Sequence, residues 1–149
     1  MRMQPERQRT RILVVEDDPM IRELIVTRLE LAGYQTFTAG DGFQGLTSLA
    51  EVRPAAMILD INMPRLDGFG VLRKMRETGA IARTPTMVLT ARNQPDDVRT
   101  AISLGARDFL AKPFRDDQLL ARVARLLRKV SAPAATPQPP TSSSTIVLD

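Results

Sequence analysis

The sequence predicts an α/β fold, a doubly wound, five-stranded parallel sheet flanked by five helices. Three observations predict it. Short apolar runs and longer amphipathic segments alternate five times along the 149 residues, and such alternation closes into a parallel sheet through right-handed crossovers. Four of the runs are apolar almost throughout, as strands covered on both faces must be. The remaining run, Tyr34 to Thr38, alternates apolar and polar residues and reads as an edge strand.

The elements follow in order. Residues 1–10 are polar and basic and read as a disordered lead, without the apolar stretch of a secretory signal. Ile12 to Val15 is a β-branched strand ending at Glu16-Asp17. Asp18-Pro19 reads as a helix N-cap and first-turn proline. The helix carries the apolar residues Met20, Ile21, Leu24, Ile25, Leu29 and Leu31, and Gly33 stops it. After the edge strand, Asp41 caps a second helix through Val52, with Phe43, Leu46 and Leu49 inward. Its two glycines make it intrinsically weak. Ala55 to Leu59 forms the third strand, ending at Asp60. The loop Asn62 to Leu66 leads to a helix capped by Asp67 and running to about Thr78.

Pro85 opens the strand Thr86 to Leu89, which ends at Thr90. A helix from Pro95 to Leu104 is stopped by Gly105. The fifth strand, Asp108 to Ala111, ends at Lys112-Pro113. The last helix, Asp116 to about Val130, places Leu119, Leu120, Val123, Leu126 and Leu127 inside and Arg122, Arg125, Arg128 and Lys129 outside. The folded unit is therefore 11–130. Residues 131–149 are rich in Pro, Ser, Thr and Ala and cannot bury a core, so they read as a flexible tail or linker, with a small apolar knot at Ile146-Val147-Leu148.

Composition narrows the chemistry. The 21 Lys and Arg against 17 Asp and Glu give a net charge of +4. All the cations but Lys74, Lys112 and Lys129 are arginines, scattered among acids rather than clustered with aromatics. No single-strand nucleic-acid platform is visible, and a solvated arginine-rich surface is expected. The chain has no cysteine and no histidine, which excludes disulfides, thiolate or imidazole metal sites, and Ser-His or Cys-His nucleophile pairs. No run is long enough to cross a bilayer. The expected location is the cytoplasm.

In a parallel sheet the C-terminal strand ends share one edge, where such folds bind ligands. The first, third, fourth and fifth strands end at Glu16-Asp17, Asp60, Thr90 and Lys112. Three carboxylates, a hydroxyl and an ammonium thus converge. Crowded carboxylates resist joint ionisation, and a hard divalent cation such as Mg²⁺ relieves that repulsion. With a cation and an amine to hold equatorial oxygens, a carboxylate can receive a phosphoryl group as nucleophile.

Four motifs in this order, Ile-Leu-Val-Val-Glu-Asp-Asp-Pro, Leu-Asp-Ile-Asn-Met-Pro followed by Asp67-Gly68, Val-Leu-Thr-Ala and Asp-Phe-Leu-Ala-Lys-Pro-Phe, cover about residues 10–130. The chain resembles the CheY-like receiver domains of two-component response regulators. The resemblance implies a flavodoxin-like sheet of order 2-1-3-4-5 and a phosphoryl group accepted on Asp60 from a histidine kinase or histidine phosphotransfer protein. It implies Mg²⁺ held by Asp17, Glu16, Asp60 and the Asn62 main-chain carbonyl. Thr90 and Lys112 would contact the phosphoryl group, Thr90 and Phe109 would form the switch, and the bond before Pro113 would be cis. The surface expected to carry the signal to a downstream protein comprises the helix from Pro95, the fifth strand and the last helix.

Other readings fit less well. Haloacid-dehalogenase-type phosphatases need a second acid two residues after the nucleophile, and that position is Asn62, which cannot transfer a proton. No Gly-x-Gly-x-x-Gly turn supports a dinucleotide site. A receiver-like binding module without phosphorylation would not need the full set of site residues. No DNA-binding motif is read in the chain, although the tail could begin a linker to a DNA-binding domain. The winged-helix branch of the family typically carries Arg, Asp and Glu where this chain has Val98, Arg107 and Gln118, which argues against that branch's dimer. A stand-alone receiver that docks on another protein is expected, with homodimerisation through the same face as the alternative.

Overall fold

The computed structural model describes residues 8–91 and 94–131. The expected lead before residue 8 and the tail after residue 131, with its apolar knot, lie outside the described residues. The element order is β1 (Arg11–Val15), α1 (Pro19–Leu31), β2 (Gln35–Ala39), α2 (Gly42–Val52), β3 (Ala56–Asp60), α3 (Gly68–Thr78), α4 (Ala80–Arg83), β4 (Thr86–Ala91), α5 (Pro95–Ser103), β5 (Asp108–Lys112) and α6 (Asp116–Ser131). The strands form one sheet in the order β2-β1-β3-β4-β5, and every pairing is parallel. β2 lies at one edge, as its alternation predicts.

Side chains alternate across a strand, and here the alternation sorts the apolar residues into two cores. Leu13, Val15, Met57, Leu59 and Val88 pack with Leu49 of α2, with Val71, Leu72 and Met75 of α3, and with Ala101 of α5. Ile12, Val14, Ile58, Met87, Leu89 and Leu110 pack on the other face with Ile25 and Leu29 of α1 and with Leu119, Val123 and Leu126 of α6. Asp18, Asp41 and Asp67 cap α1, α2 and α3 by accepting from the backbone N–H groups of Met20, Gln44 and Gly70 at 2.8, 2.8 and 2.9 Å.

Two expectations are corrected. The sheet carries six described helices, not five, because the single turn α4 follows α3 directly. Gly79 ends α3 with φ of 82°, and a four-residue turn shows no periodicity by which to find it. The inner face of α2 is also narrower than read. Met20 is 82% exposed, Leu31 78% and Phe43 56%. α1 seats its Ile25–Leu29 stripe, and Leu24 is 39% exposed. α2 seats Gly42, Gly45 and Leu49. The glycines are there for closeness: a Cβ on Gly45 would lie 3.0 Å from a methyl of Val15, and one on Gly42 would lie 2.5 Å from the Leu66 carbonyl.

Candidate functional site

The parallel strands deliver their C-terminal ends to one edge. Asp60 is the last residue of β3, Lys112 the last of β5, and Glu16 follows β1. Lys112 Nζ lies 3.2 Å from Glu16 Oε1 and 3.2 Å from Asp60 Oδ1. Carboxylate oxygens of Glu16, Asp17 and Asp60 lie within 4.8 Å of one another. Local backbone fixes this cluster. The Asp18 N–H donates to Glu16 Oε2 at 3.1 Å, and the Asn62 N–H donates to the Asp60 carboxylate. Arg22 of α1 donates to the Glu16 carbonyl at 2.7 Å. Gly68 lets the start of α3 lie against the end of β3, since a Cβ there would stand 2.6 Å from the Asp60 carbonyl.

Burial sets the electrostatics. Glu16 is 0% and Asp60 2% exposed. Burial, with the nearby Asp60, raises the Glu16 carboxyl to about 7 against the pull of the Asp18 N–H and Lys112. Burial likewise raises the Asp60 carboxyl above its ordinary value, against the pull of Lys112. Burial opposes the charge on Lys112, but Asp60 and Glu16 outweigh it and raise the ammonium's pKa. One oxygen of each acid, Glu16 Oε1 and Asp60 Oδ1, is sealed from solvent and receives no well-directed hydrogen bond. Its neighbour Lys112 Nζ is within ion-pair distance but off the hydrogen-bond axis. Under-satisfied carboxylate oxygens gathered around one point, with no nitrogen or sulfur donors, fit a hard divalent cation.

Thr90 and Phe109 lie on the other side of the sheet edge. The register pairs Val88 with Phe109 and Thr90 with Ala111, so these four share the face covered by α5. Thr90 is 2% exposed. With Ala91, Gln94, Pro95, Val98, Arg99, Phe109 and Ala111 it lines an open groove of about 470 Å³. Asn62, Lys112, Pro113 and Phe114 line a second hollow of about 410 Å³ with Ile21 and Leu24 of α1. The Lys112–Pro113 peptide bond is cis.

Several contacts around the site were not legible in the sequence. Arg122 and Arg125, expected on an outward solvated face, turn instead to Asp108. Arg122 donates to Asp108 Oδ1 at 2.7 Å and to the Phe109 carbonyl at 2.8 Å, and Arg125 donates to Asp108 Oδ2 at 2.7 Å. Asp108 reads in sequence only as the polar start of a strand; its 7% side-chain exposure makes it the buried anchor of that face. Asp41, read as a cap, also accepts from Arg65 at 2.6 Å. Arg65 sits in the loop after Asp60 with φ of 71°, a conformation unfavourable for a side chain with a Cβ, and the ion pair holds it there.

Comparison with known proteins agrees with this geometry. The response regulator receiver domain family matches residues 12–124. Response regulator MprA of Mycobacterium leprae (strain TN) is 41% identical over 139 residues, covering 93% of this chain and 60% of the relative. The chain therefore spans about 60% of the length of the first curated relatives it matches. The chemotaxis protein CheY4 of Vibrio cholerae superposes with a TM-score of 0.76 at 32% identity, covering 80% of this chain and 100% of that one. The receiver domain of Francisella response regulator 1452 gives 0.76 at 30% identity over 82% of this chain and 99% of that one. The sheet order, the acid cluster beside a lysine and these matches lead to one conclusion: the chain belongs to the response regulator receiver domains of two-component systems.

Proposed function

We propose that the chain is a phosphorylation-dependent switch that accepts a phosphoryl group on Asp60 from a histidine kinase or a histidine phosphotransfer protein. The observation that supports this most directly is the placement of Asp60, buried, between Lys112 and the acid pair Glu16 and Asp17. An Asp60 oxygen attacks phosphorus, the bond from phosphorus to the donor nitrogen breaks, and that nitrogen keeps the electron pair. Lys112 pairs with the transferred oxygens, and the Asn62 N–H orients the attacking carboxylate. The Thr90 hydroxyl donates to the phosphoryl group once it is in place. Glu16, Asp17, Asp60 and the Asn62 carbonyl would hold Mg²⁺, which when bound neutralises the crowded oxygen charge. Turnover is on the chain itself: one phosphoryl group is consumed per chain in each cycle, and no other substrate is processed.

The output leaves through α5, β5 and α6 toward a downstream protein, or toward a second copy of the chain through the same face. Nucleic acid is not contacted by the described residues in this reading, and the cytoplasm is the proposed location. No helix among the described residues is long and apolar enough to cross a membrane.

The test is covalent. Incubated with acetyl phosphate and Mg²⁺, the protein should gain one phosphoryl mass that hydroxylamine removes, and Asp60→Asn should gain none. Full labelling of Asp60→Asn would overturn the assignment.

A further inference from the structure

Phe109 has a neighbour that the receiver reading does not require. The Arg122 guanidinium lies over the Phe109 ring, 5.5 Å from its centroid. The same guanidinium donates to the carbonyl of Phe109 and to the carboxylate of Asp108, one residue earlier. Arg125 takes the other oxygen of Asp108. Two of its three contacts thus hold one cation against both the backbone and the ring of a single residue. A guanidinium placed over an aromatic face is attracted by the ring quadrupole, and its planar fork can serve the ring and the two acceptors together. Phe109 is only half-buried and also borders the groove it shares with Thr90. The ring thus touches the cation from α6 while packing against the core under α5 and bordering the groove.

We infer that Arg122 is a positioning residue that holds the Phe109 ring against α6 and out of the Thr90 groove, setting the resting bias of the switch. This rests on the switch reading of Thr90 and Phe109, and it adds a residue on α6 whose contribution can be measured without a phosphoryl group. Arg125 shares Asp108, while the cation over the ring is Arg122, so the two arginines separate a structural role from a positioning one. In Arg122→Ala the Asp108 carboxylate keeps Arg125 and the Phe109 N–H, which lies 2.8 Å from its Oδ1, so the fold keeps its anchor.

The experiment uses the full chain labelled with 4-fluorophenylalanine at its five phenylalanines, with the position-109 resonance assigned through Phe109→Leu. Fluorine spectra are taken of wild type, Arg122→Ala, Arg122→Lys and Arg125→Ala, each with and without beryllofluoride and Mg²⁺. Without beryllofluoride, Arg122→Ala should raise the groove-seated fraction of the ring about fivefold, the effect of losing one exposed cation–π contact. Arg122→Lys, which keeps the charge, should recover part of the resting position, and Arg125→Ala should leave the resonance at its wild-type shift. Identical position-109 spectra for wild type and Arg122→Ala, or equal displacement by Arg125→Ala, would overturn the inference. Failure of the switch reading itself shows separately, as a wild-type resonance that beryllofluoride does not move.

Discussion

Glu16 favours the folded chain only while it is protonated. In the folded protein its carboxyl is raised from 4.5 to about 7, chiefly by burial. Between those values the unfolded chain releases a proton that the folded chain keeps, so the unfolded state gains as pH rises. The metal-free protein should therefore lose stability between about pH 4.5 and pH 7. Glu16→Gln should flatten that slope, which thermal melts across the window, in chelator, will show; an unchanged slope would place the titrating group elsewhere. The same crowding makes cation binding visible in stability, because a ligand that binds only the folded state raises its melting temperature by mass action. Mg²⁺ should raise the melting temperature of the unphosphorylated wild type. Asp17→Ala should remove most of that gain and Glu16→Ala less. An equal Mg²⁺-dependent shift in Asp17→Ala and wild type would remove Asp17 from the proposed site.

At the scale of elements, one buried carboxylate, Asp108, adds to the apolar contact between β5 and α6. Burial raises the pKa of Asp108, but Arg125, the Phe109 N–H and Arg122 outweigh it and hold the carboxyl below its ordinary value. A depressed carboxylate stabilises the fold above its unfolded pKa, and that stability is lost as pH falls through the folded value. Asp108→Asn should therefore cost about 1–2 kcal/mol at neutral pH, the worth of charge-assisted hydrogen bonds partly screened by solvent at the arginine ends. Its deficit should shrink on acidification, read from denaturant melts at pH 7 and pH 3. A deficit unchanged with pH would mean that the loss is one of packing and not of charge. Asp108 also marks where the sequence stops being legible. Strand ends, caps and the alternation of β2 follow from local patterns, so Asp60, Lys112 and Glu16 could be placed on one edge before any coordinates. The pairing of Asp108 with two arginines on the next helix, and of Asp41 with Arg65, depends on distances between elements, and no local period encodes those. The exposure of Met20 and Phe43 has a similar cause: how wide a helix's buried stripe is depends on how closely the helix sits, and in α2 the glycines set that.

For the whole molecule, the sheet divides the proposed phosphoryl site from the proposed output surface. Glu16, Asp60 and Lys112 share the strand faces of Val14, Ile58 and Leu110, which α1 and α6 cover. Thr90 and Phe109 belong to the opposite face, under α5. In the proposed switch a phosphoryl group on Asp60 adds charge and acceptor oxygens at the shared edge, and Thr90, on the neighbouring strand β4, is the side chain that answers it from the far face. If its hydroxyl turns to the phosphoryl group, it leaves the groove, and the Phe109 ring on the edge strand can enter. The energy required is modest: a tenfold population shift takes about 1.4 kcal/mol, within reach of one or two charge-assisted hydrogen bonds. Thr90→Ala and Phe109→Ala should then still accept phosphate on Asp60 but fail to transmit it. Hydrogen exchange reads this without a known partner. In wild type, beryllofluoride with Mg²⁺ should change protection both in the loop after Asp60 and in α5 and β5. In the two variants the change in the loop should persist, and the change in α5 and β5 should disappear. If Phe109 is plain core, Phe109→Ala will lower global stability and leave the beryllofluoride response of α5 intact. The same response in all three proteins would mean that the signal crosses the sheet by another route.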